Sequence, residues 1–485
     1  MSASPIHSHY RALRLITLLI LFAFAVAYGF QCVKNGRATA PLKNAPASAK
    51  KEKLGNDFTA FYSAGEQARL GRNIYDWQST SVPHRPFEYP PLFAVFPMLP
   101  LSYFSYNTAL ALFYAINALL LAASLWMLRR LLWPAGEPPA TLAMLRWPAV
   151  GILLTLVFSW RFIHSNTNES NANLWMLFLL TAALVFDRME KVAVAKTPRN
   201  GIAAGLAVAM ATAIKLTPGL FGIYFLWARR GWSMLGGALG LALFLVVVPG
   251  TVLGWNQNLK YLDAYKTFAL GKTTGADAVA PDDPDRIWIG RPKQLDPNES
   301  ASAAGVGVSL KGILTSLLTP SPALRKNGDR PRTVNIATLE PRQVALISNV
   351  LALIVLLATV ALTFCDRARA TTPAAALSWS LVIVAMTLMS PLTRIAHLVV
   401  LVIPIATLIS LLQQQRLSGA AKMLAPITLV LLLVSSATGE YLHAVGFTTF
   451  SMIVLYVALA LALRNVIGAT IQSHPDRAPD TAAGL

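Results

Sequence analysis

The chain is a succession of apolar runs, near 13–32, 103–128, 147–163, 172–186, 201–214, 216–228, 233–254, 345–365, 372–390, 395–412, 423–438 and 445–463. Most approach the roughly 20 apolar residues that a helix needs to cross a bilayer. Backbone in lipid must satisfy its own hydrogen bonds, so such runs fold as helices packed side by side. The expectation is an all-α integral membrane protein of about twelve transmembrane helices. The 201–214 and 216–228 pair is short and reads as broken or shallow helices. Composition excludes the alternatives: 55% of the 485 residues are hydrophobic and only 13% charged, against about 25% charged in soluble domains. That is too little charge to coat a soluble enzyme or keep a scaffold disordered. Cys32 and Cys365 fall at opposite ends of their helices, which leaves the loops without a disulfide framework.

The net charge of +19 is not gathered into a block that would track nucleic acid; its residues sit in ones and twos at the ends of the runs. Alternate connections hold Arg129, Arg130 and Arg146; Arg188, Lys191, Lys196 and Arg199; Arg229 and Arg230; Arg367 and Arg369; Arg416 and Lys422; and Arg464. Arg11 and Arg14 precede the first run, which reads as an uncleaved anchor rather than a signal peptide. Positively charged loops stay inside, so both termini are expected in the cytoplasm, in the inner membrane. One transmembrane domain then spans 1–465, with outer loops about 33–102 and 255–344, and 466–485 is a cytoplasmic tail. The outer segments hold most of the unusual polar residues, the pattern of an enzyme working at the outer surface. A carrier would more often hide them at the midplane between repeated halves, and no two-fold repeat is evident.

In the first outer loop Asp57 opens a stretch in which Phe58, Phe61, Tyr62 and Gly65 share one helical face, as in an amphipathic helix at the interface. Asp57 reads either as a helix cap or as a general base near the headgroups. Asp76 reads as a turn residue, and Glu88 as a second or a solvated carboxylate. The paired prolines of Tyr89-Pro90-Pro91 start a helix sharply and aim the tyrosine. The turn containing Asn166, Asn168, Glu169, Asn171 and Asn173 is costly beside lipid unless water or a hydroxyl-rich ligand such as a sugar satisfies it. Lys215 before Pro218-Gly219, and Arg394 with His397, place cations where they could bind a lipid phosphate or simply snorkel. Asp282-Asp283-Pro284-Asp285 reads as an acidic turn rather than a metal site.

In order along the chain these segments resemble glycosyltransferase family 87, polytopic enzymes of the GT-C type that use polyprenyl-phosphate sugars. The family's Asp-Phe followed by aromatic-Ala-Gly resembles Asp57 to Gly65, and its Tyr-Asp resembles Tyr75-Asp76. Its Tyr-Pro-Pro resembles Tyr89 to Pro91, and its Gly-Gln-x-Asn is loosely matched by Ser170-Asn171-Ala172-Asn173. Its Lys-x-Thr-Pro resembles Lys215 to Pro218, and its Ser-Pro-x-Ser-Trp-x-His-His resembles Ser390 to His397, with Arg394 for Trp and Ala396 for the first His. The resemblance implies a GT-C-type bundle with amphipathic helices in the outer loops. It implies transfer of a hexose, mannose first, from a polyprenyl-phosphate donor to a lipid or glycan acceptor, with inversion. Asp57 would be the catalytic base, and Tyr89, Asn171, Asn173, Lys215, Arg394 and His397 would bind substrate. No metal and no cofactor are expected. The competing readings are a transporter or flippase of a lipid-linked sugar, and a ligase of a lipid-linked glycan.

Overall fold

The computed structural model describes residues 19–20, 22–34, 57–76, 86–133, 148–192, 198–274, 287, 289, 307–320, 333–364, 371–391, 393–437 and 440–473, and among these there is no strand. The helices are α1 (Phe22–Lys34), α2 (Asp57–Arg69), α3 (Tyr106–Leu132), α4 (Pro148–Glu169), α5 (Asn173–Val192), α6 (Pro198–Ile214), α7 (Leu220–Trp227) and α8 (Gly231–Leu253). They continue with α9 (Trp255–Thr274), α10 (Leu310–Leu318), α11 (Pro341–Phe364), α12 (Thr372–Met389), α13 (Ile395–Gln413), α14 (Gly419–Ala437) and α15 (Phe447–Ser473).

Among the described residues, each of the twelve apolar runs falls mainly on helix. Among the described residues, seven helices (α3, α4, α8, α11, α12, α13 and α15) are long and apolar enough to cross a membrane, and the chain is a multi-pass membrane protein. Among the described residues the count of twelve spans is not confirmed helix by helix. α5 carries Asp187, Arg188, Glu190 and Lys191 near its end, and the 201–228 pair divides into α6, a 3-10 turn at Thr217–Gly219 and the eight-residue α7. Local chemistry sets several boundaries. Ser105, Ser309 and Thr371 cap α3, α10 and α12, their hydroxyls accepting from otherwise unsatisfied N–H groups.

α12 lies at the centre, buried along its whole length from Ala374 to Leu388. Trp379 packs its ring 4.3 Å from that of Phe221 on α7. α1 docks on α4 through Phe24 and Trp160, ring centres 4.6 Å apart, and through the amides of Gln31 and Asn168. The tightest seam joins α6 to α8. A β-carbon on Gly205 would fall 2.1 Å from the Ser233 carbonyl oxygen, and one on Gly236 2.2 Å from that of Ile202. The two backbones therefore touch, a contact open only to glycine, and small residues commonly make such contacts between helices in lipid.

A second, aromatic core lies beside the bundle and holds α2. Phe61 is 4.9 Å from both Tyr89 and Phe93, and Phe58 is 5.1 Å from Phe113. Such pairs contribute about 0.5–1.5 kcal/mol each beyond their buried area. The expected helix is thus present with its aromatic face inward, but protein encloses it on nearly every side. Ten of its thirteen residues are buried, so it is not a helix floating in the interface. The segment 255–344, read as a loop, contains α9 and α10. Cys365 and the acidic turn at 282–285 lie outside the described residues.

Candidate active site

The site forms where the aromatic core meets the bundle, and three backbone features build it. Pro90 and Pro91 start the helical stretch after Tyr89, whose ring is stacked 5.7 Å from Phe93. Its carbonyl accepts from the Tyr75 hydroxyl at 2.9 Å. Tyr89 is therefore fixed in both backbone and ring.

The second feature is the end of α4. Ser170 has φ 51°, its N–H bonds the Thr167 carbonyl at 3.1 Å, and the Asn171 N–H bonds the Asn166 carbonyl at 3.0 Å. This is a Schellman ending with a left-handed residue just past the helix, a place usually given to glycine. The family motif has glycine here. Serine holds the place in this chain, with its hydroxyl 2.6 Å from that of Tyr114. The turn is so short that Asn171 and Asn173 both face inward, 2% and 0% exposed.

The third feature is the break after α6. Lys215 follows the last helical residue, its N–H bonded to the Ala211 carbonyl at 2.9 Å. Thr217 then opens the 3-10 turn, with Pro218 as its second residue.

From these supports a continuous polar chain runs through the site. The Asn171 amide donates to Asp57 Oδ2, and the Tyr89 hydroxyl donates to Asn171 Oδ1 at 3.1 Å. The Lys215 ammonium lies 5.8 Å from the Tyr89 ring centre and donates to Asn173 Oδ1 at 3.2 Å. Asn173 Nδ2 donates in turn to Asn166 Oδ1 at 3.2 Å and to the Ala396 carbonyl at 3.1 Å. Desolvation, helped by the Arg394 charge, brings the Lys215 pKa down to about 7, and the nearby carboxylates of Asp57, Glu169 and Glu88 only partly oppose it. Burial, followed by the Asp57 charge, holds the Tyr89 phenol well above its ordinary range, so it remains a donor.

A small cavity beside Lys215 is lined by Thr217, Thr387, Ser390, Thr393 and His397 together with apolar side chains. The Arg394 backbone N–H donates to His397 Nδ1 at 3.1 Å, which places the proton of a neutral imidazole on Nε2. Arg394 and His397 do not share a helical face as their spacing suggests. Arg394 has extended backbone before a 3-10 turn and is exposed, whereas His397 folds back against it.

Five of the seven residues expected from sequence (Asp57, Tyr89, Asn171, Asn173 and Lys215) are therefore joined in one network. His397 reaches it across the cavity, and Arg394 acts on it through its charge. Glu88 is exposed, and Asp76 lies in a turn, its N–H bonded to the Asn73 carbonyl at 3.0 Å. The hydroxyls of Thr217, Ser390 and Thr393 were not expected in the site; their signal was a place next to Pro218 and Pro391, or two residues beyond for Thr393, at the ends of apolar runs. Arg161, further back on α4, points away from the site and meets His443 Nε2 at 2.5 Å, and His443 Nδ1 meets the Thr448 hydroxyl at 2.6 Å. Among the described residues no group of three or more His, Cys, Asp or Glu is placed to hold a metal ion.

This geometry coincides with a sequence match. Residues 87–281 match Glycosyltransferase family 87, a stretch that includes Tyr89, Asn171, Asn173 and Lys215 and leaves Asp57, Arg394 and His397 outside. The chain is 29% identical over 180 residues to the polyprenol-phosphate-mannose-dependent alpha-(1-2)-phosphatidylinositol mannoside mannosyltransferase of Mycolicibacterium smegmatis. That alignment covers 36% of this chain and 38% of the relative. Among solved structures, ArnT from Cupriavidus metallidurans bound to undecaprenyl phosphate aligns with 13% identity and a TM-score of 0.36, over 96% of this chain and 81% of that one. Its apo form aligns over the same shares, with 14% identity and a TM-score of 0.34. The resemblance carried by Tyr89 to Pro91, Ser170 to Asn173 and Lys215 to Pro218 is thus matched independently, and residues 87–281 of this chain are similar to glycosyltransferase family 87.

Proposed function

We propose that the chain is a membrane glycosyltransferase that moves a hexose, mannose first, from a polyprenyl-phosphate donor to a lipid or glycan acceptor at the outer face of the cytoplasmic membrane. The observation behind this reading is the placing of one carboxylate, Asp57, and one desolvated ammonium, Lys215, in a single polar network at the edge of an apolar bundle. Glycosyl transfer between such substrates needs both. Asp57 takes the proton of the acceptor hydroxyl as that oxygen attacks the anomeric carbon. The bond from that carbon to the phosphate oxygen breaks, and its electron pair leaves with the phosphate. Attack from the opposite face inverts the configuration, so a β-linked donor gives an α-glycoside. Lys215, His397 and the more distant Arg394 stabilise the leaving phosphate, and the Tyr89 ring forms a wall of the sugar site. The loop charge pattern supports cytoplasmic termini with this site outside. The family match and the mannosyltransferase relative support the donor class.

The test supplies purified protein in detergent with labelled polyprenyl-phosphate mannose and a membrane lipid extract. Transfer of label to lipid is expected. Asp57→Asn keeps the side-chain shape and removes the proton-accepting charge, and should lower turnover by roughly 10²–10⁴-fold. Parental turnover in Asp57→Asn would remove Asp57 from the mechanism. Passage of intact donor across vesicles without covalent transfer would favour a carrier.

A further inference from the structure

The amide-rich turn between α4 and α5 holds two buried side chains that already hydrogen-bond within the protein. Asn171 is 2% exposed and Asn173 0%. Each joins a group of the proposed chemistry to fixed scaffold. The ionised Asp57 carboxylate can only accept, so Asn171 turns Nδ2 to it and leaves Oδ1 to accept from the Tyr89 hydroxyl. Asn173 has both amide hydrogens committed, to Asn166 and to the Ala396 carbonyl, and so turns its oxygen toward Lys215. Bound sugar would have to displace these partners, leaving buried polar groups unmatched.

We infer that Asn171 and Asn173 are positioning residues rather than sugar ligands: Asn171 orients the base Asp57, Asn173 orients the cation Lys215, and the turn Ser170–Asn173 sets the spacing between the two. The inference rests on the proposed transferase chemistry and assigns the two asparagines to separate steps. A donor to the carboxylate stabilises its charged form, so Asn171 supports Asp57 as the proton-accepting anion. Asn173 holds the ammonium toward the cavity that His397 also lines, so it governs the phosphate end. Tyr89 serves both, through its hydroxyl to Asn171 and its ring beside Lys215. The charges bearing on this site from other elements are those of Glu88, Glu169 and Arg394.

The test is a pair of pH–rate profiles with the labelled donor and lipid extract. Asn171→Ala should lower kcat by roughly 10-fold or more and move the acid limb upward by about one pH unit, with donor KM little changed. Asn173→Ala should do the opposite, raising donor KM by roughly 10-fold while the acid limb stays in place. Tyr89→Phe should reproduce the Asn171 effect more weakly, and Asn171→Gln should restore part of kcat. In an Asp57→Asn background, Asn171→Ala should add nothing further. If both asparagine variants lose kcat and thermal stability together with unmoved limbs, the turn is merely structural and the inference falls. If either alanine variant does not fold, Tyr89→Phe and Asn173→Gln decide by the same split. Full activity in Asp57→Asn overturns the transferase base itself; loss there with an unmoved acid limb in Asn171→Ala overturns only the positioning role.

Discussion

Donor binding should weaken as pH rises through neutrality, and Lys215 should be the reason. Desolvation brings this lysine to a pKa of about 7, from an ordinary value near 10.4. The protonated form binds the donor phosphate, so affinity is fully present well below pH 7 and is lost as pH rises through it and the lysine gives up its proton. The free site is about 90% protonated at pH 6 and about 10% at pH 8, an expected loss of roughly ninefold in affinity. The decline should level off at roughly 10- to 150-fold, the equivalent of about 1.5–3 kcal/mol for a hydrogen bond to a charged group. A polyprenyl-phosphate sugar is a phosphodiester and keeps one negative charge throughout, so the ligand itself does not titrate. The assay is equilibrium binding of labelled donor to purified protein from pH 6 to 9, without acceptor. Lys215→Arg should flatten the curve, since a guanidinium does not titrate there. His397→Gln should leave its slope above pH 7 in place. A parental curve that is already flat, or a Lys215→Arg curve with the parental slope, would refute the assignment.

Arg394 is exposed, so Arg394→Gln should weaken donor binding by less than about 1 kcal/mol, and the loss should vanish in high salt; a larger, salt-independent loss in the same binding assay would place the guanidinium on the phosphate. Gly205→Ala would push a β-carbon to 2.1 Å from the Ser233 carbonyl. It should destabilise the protein by about 1–3 kcal/mol and weaken donor binding by shifting the α6 end that holds Lys215, with a parental melting temperature as the contrary result. Tyr103 is 69% exposed between α2 and α3. Tyr103→Cys should react with an impermeant thiol reagent added from outside spheroplasts, and protection would reverse the proposed topology.

The helices were legible because hydropathy is a property of neighbours in sequence. The runs that became α3, α4, α8, α11, α12, α13 and α15 needed only length and composition. α9 escaped because its surface mixes Asn, Lys and Asp among the aromatics, and no clear periodicity separates it from a loop. Of the site, Lys215 showed itself through the Pro-Gly that ends its helix, and Tyr89 through the paired prolines. The asparagines read correctly as costly groups in need of partners, but a sequence does not say who the partner is. That of Asn171 is Asp57, 114 positions away. Spacing also misled at Arg394 and His397. Three residues make a shared face only inside a helix, and Arg394 stands just before one.

The glycine contact between α6 and α8 also bears on how a lipid substrate would travel. From Ile202 to Gly205 the two helices touch backbone to backbone, and one turn on, at Ala209, a β-carbon on Gly240 would meet that of Ala209 at 2.6 Å. That is about 10 Å of seam along the helix with no room for a methylene chain. A prenyl tail whose phosphate reached Lys215 would therefore have no sideways entrance between these two helices. It would have to approach along another flank of the bundle, with the α6–α8 seam acting as a wall that lipid slides past.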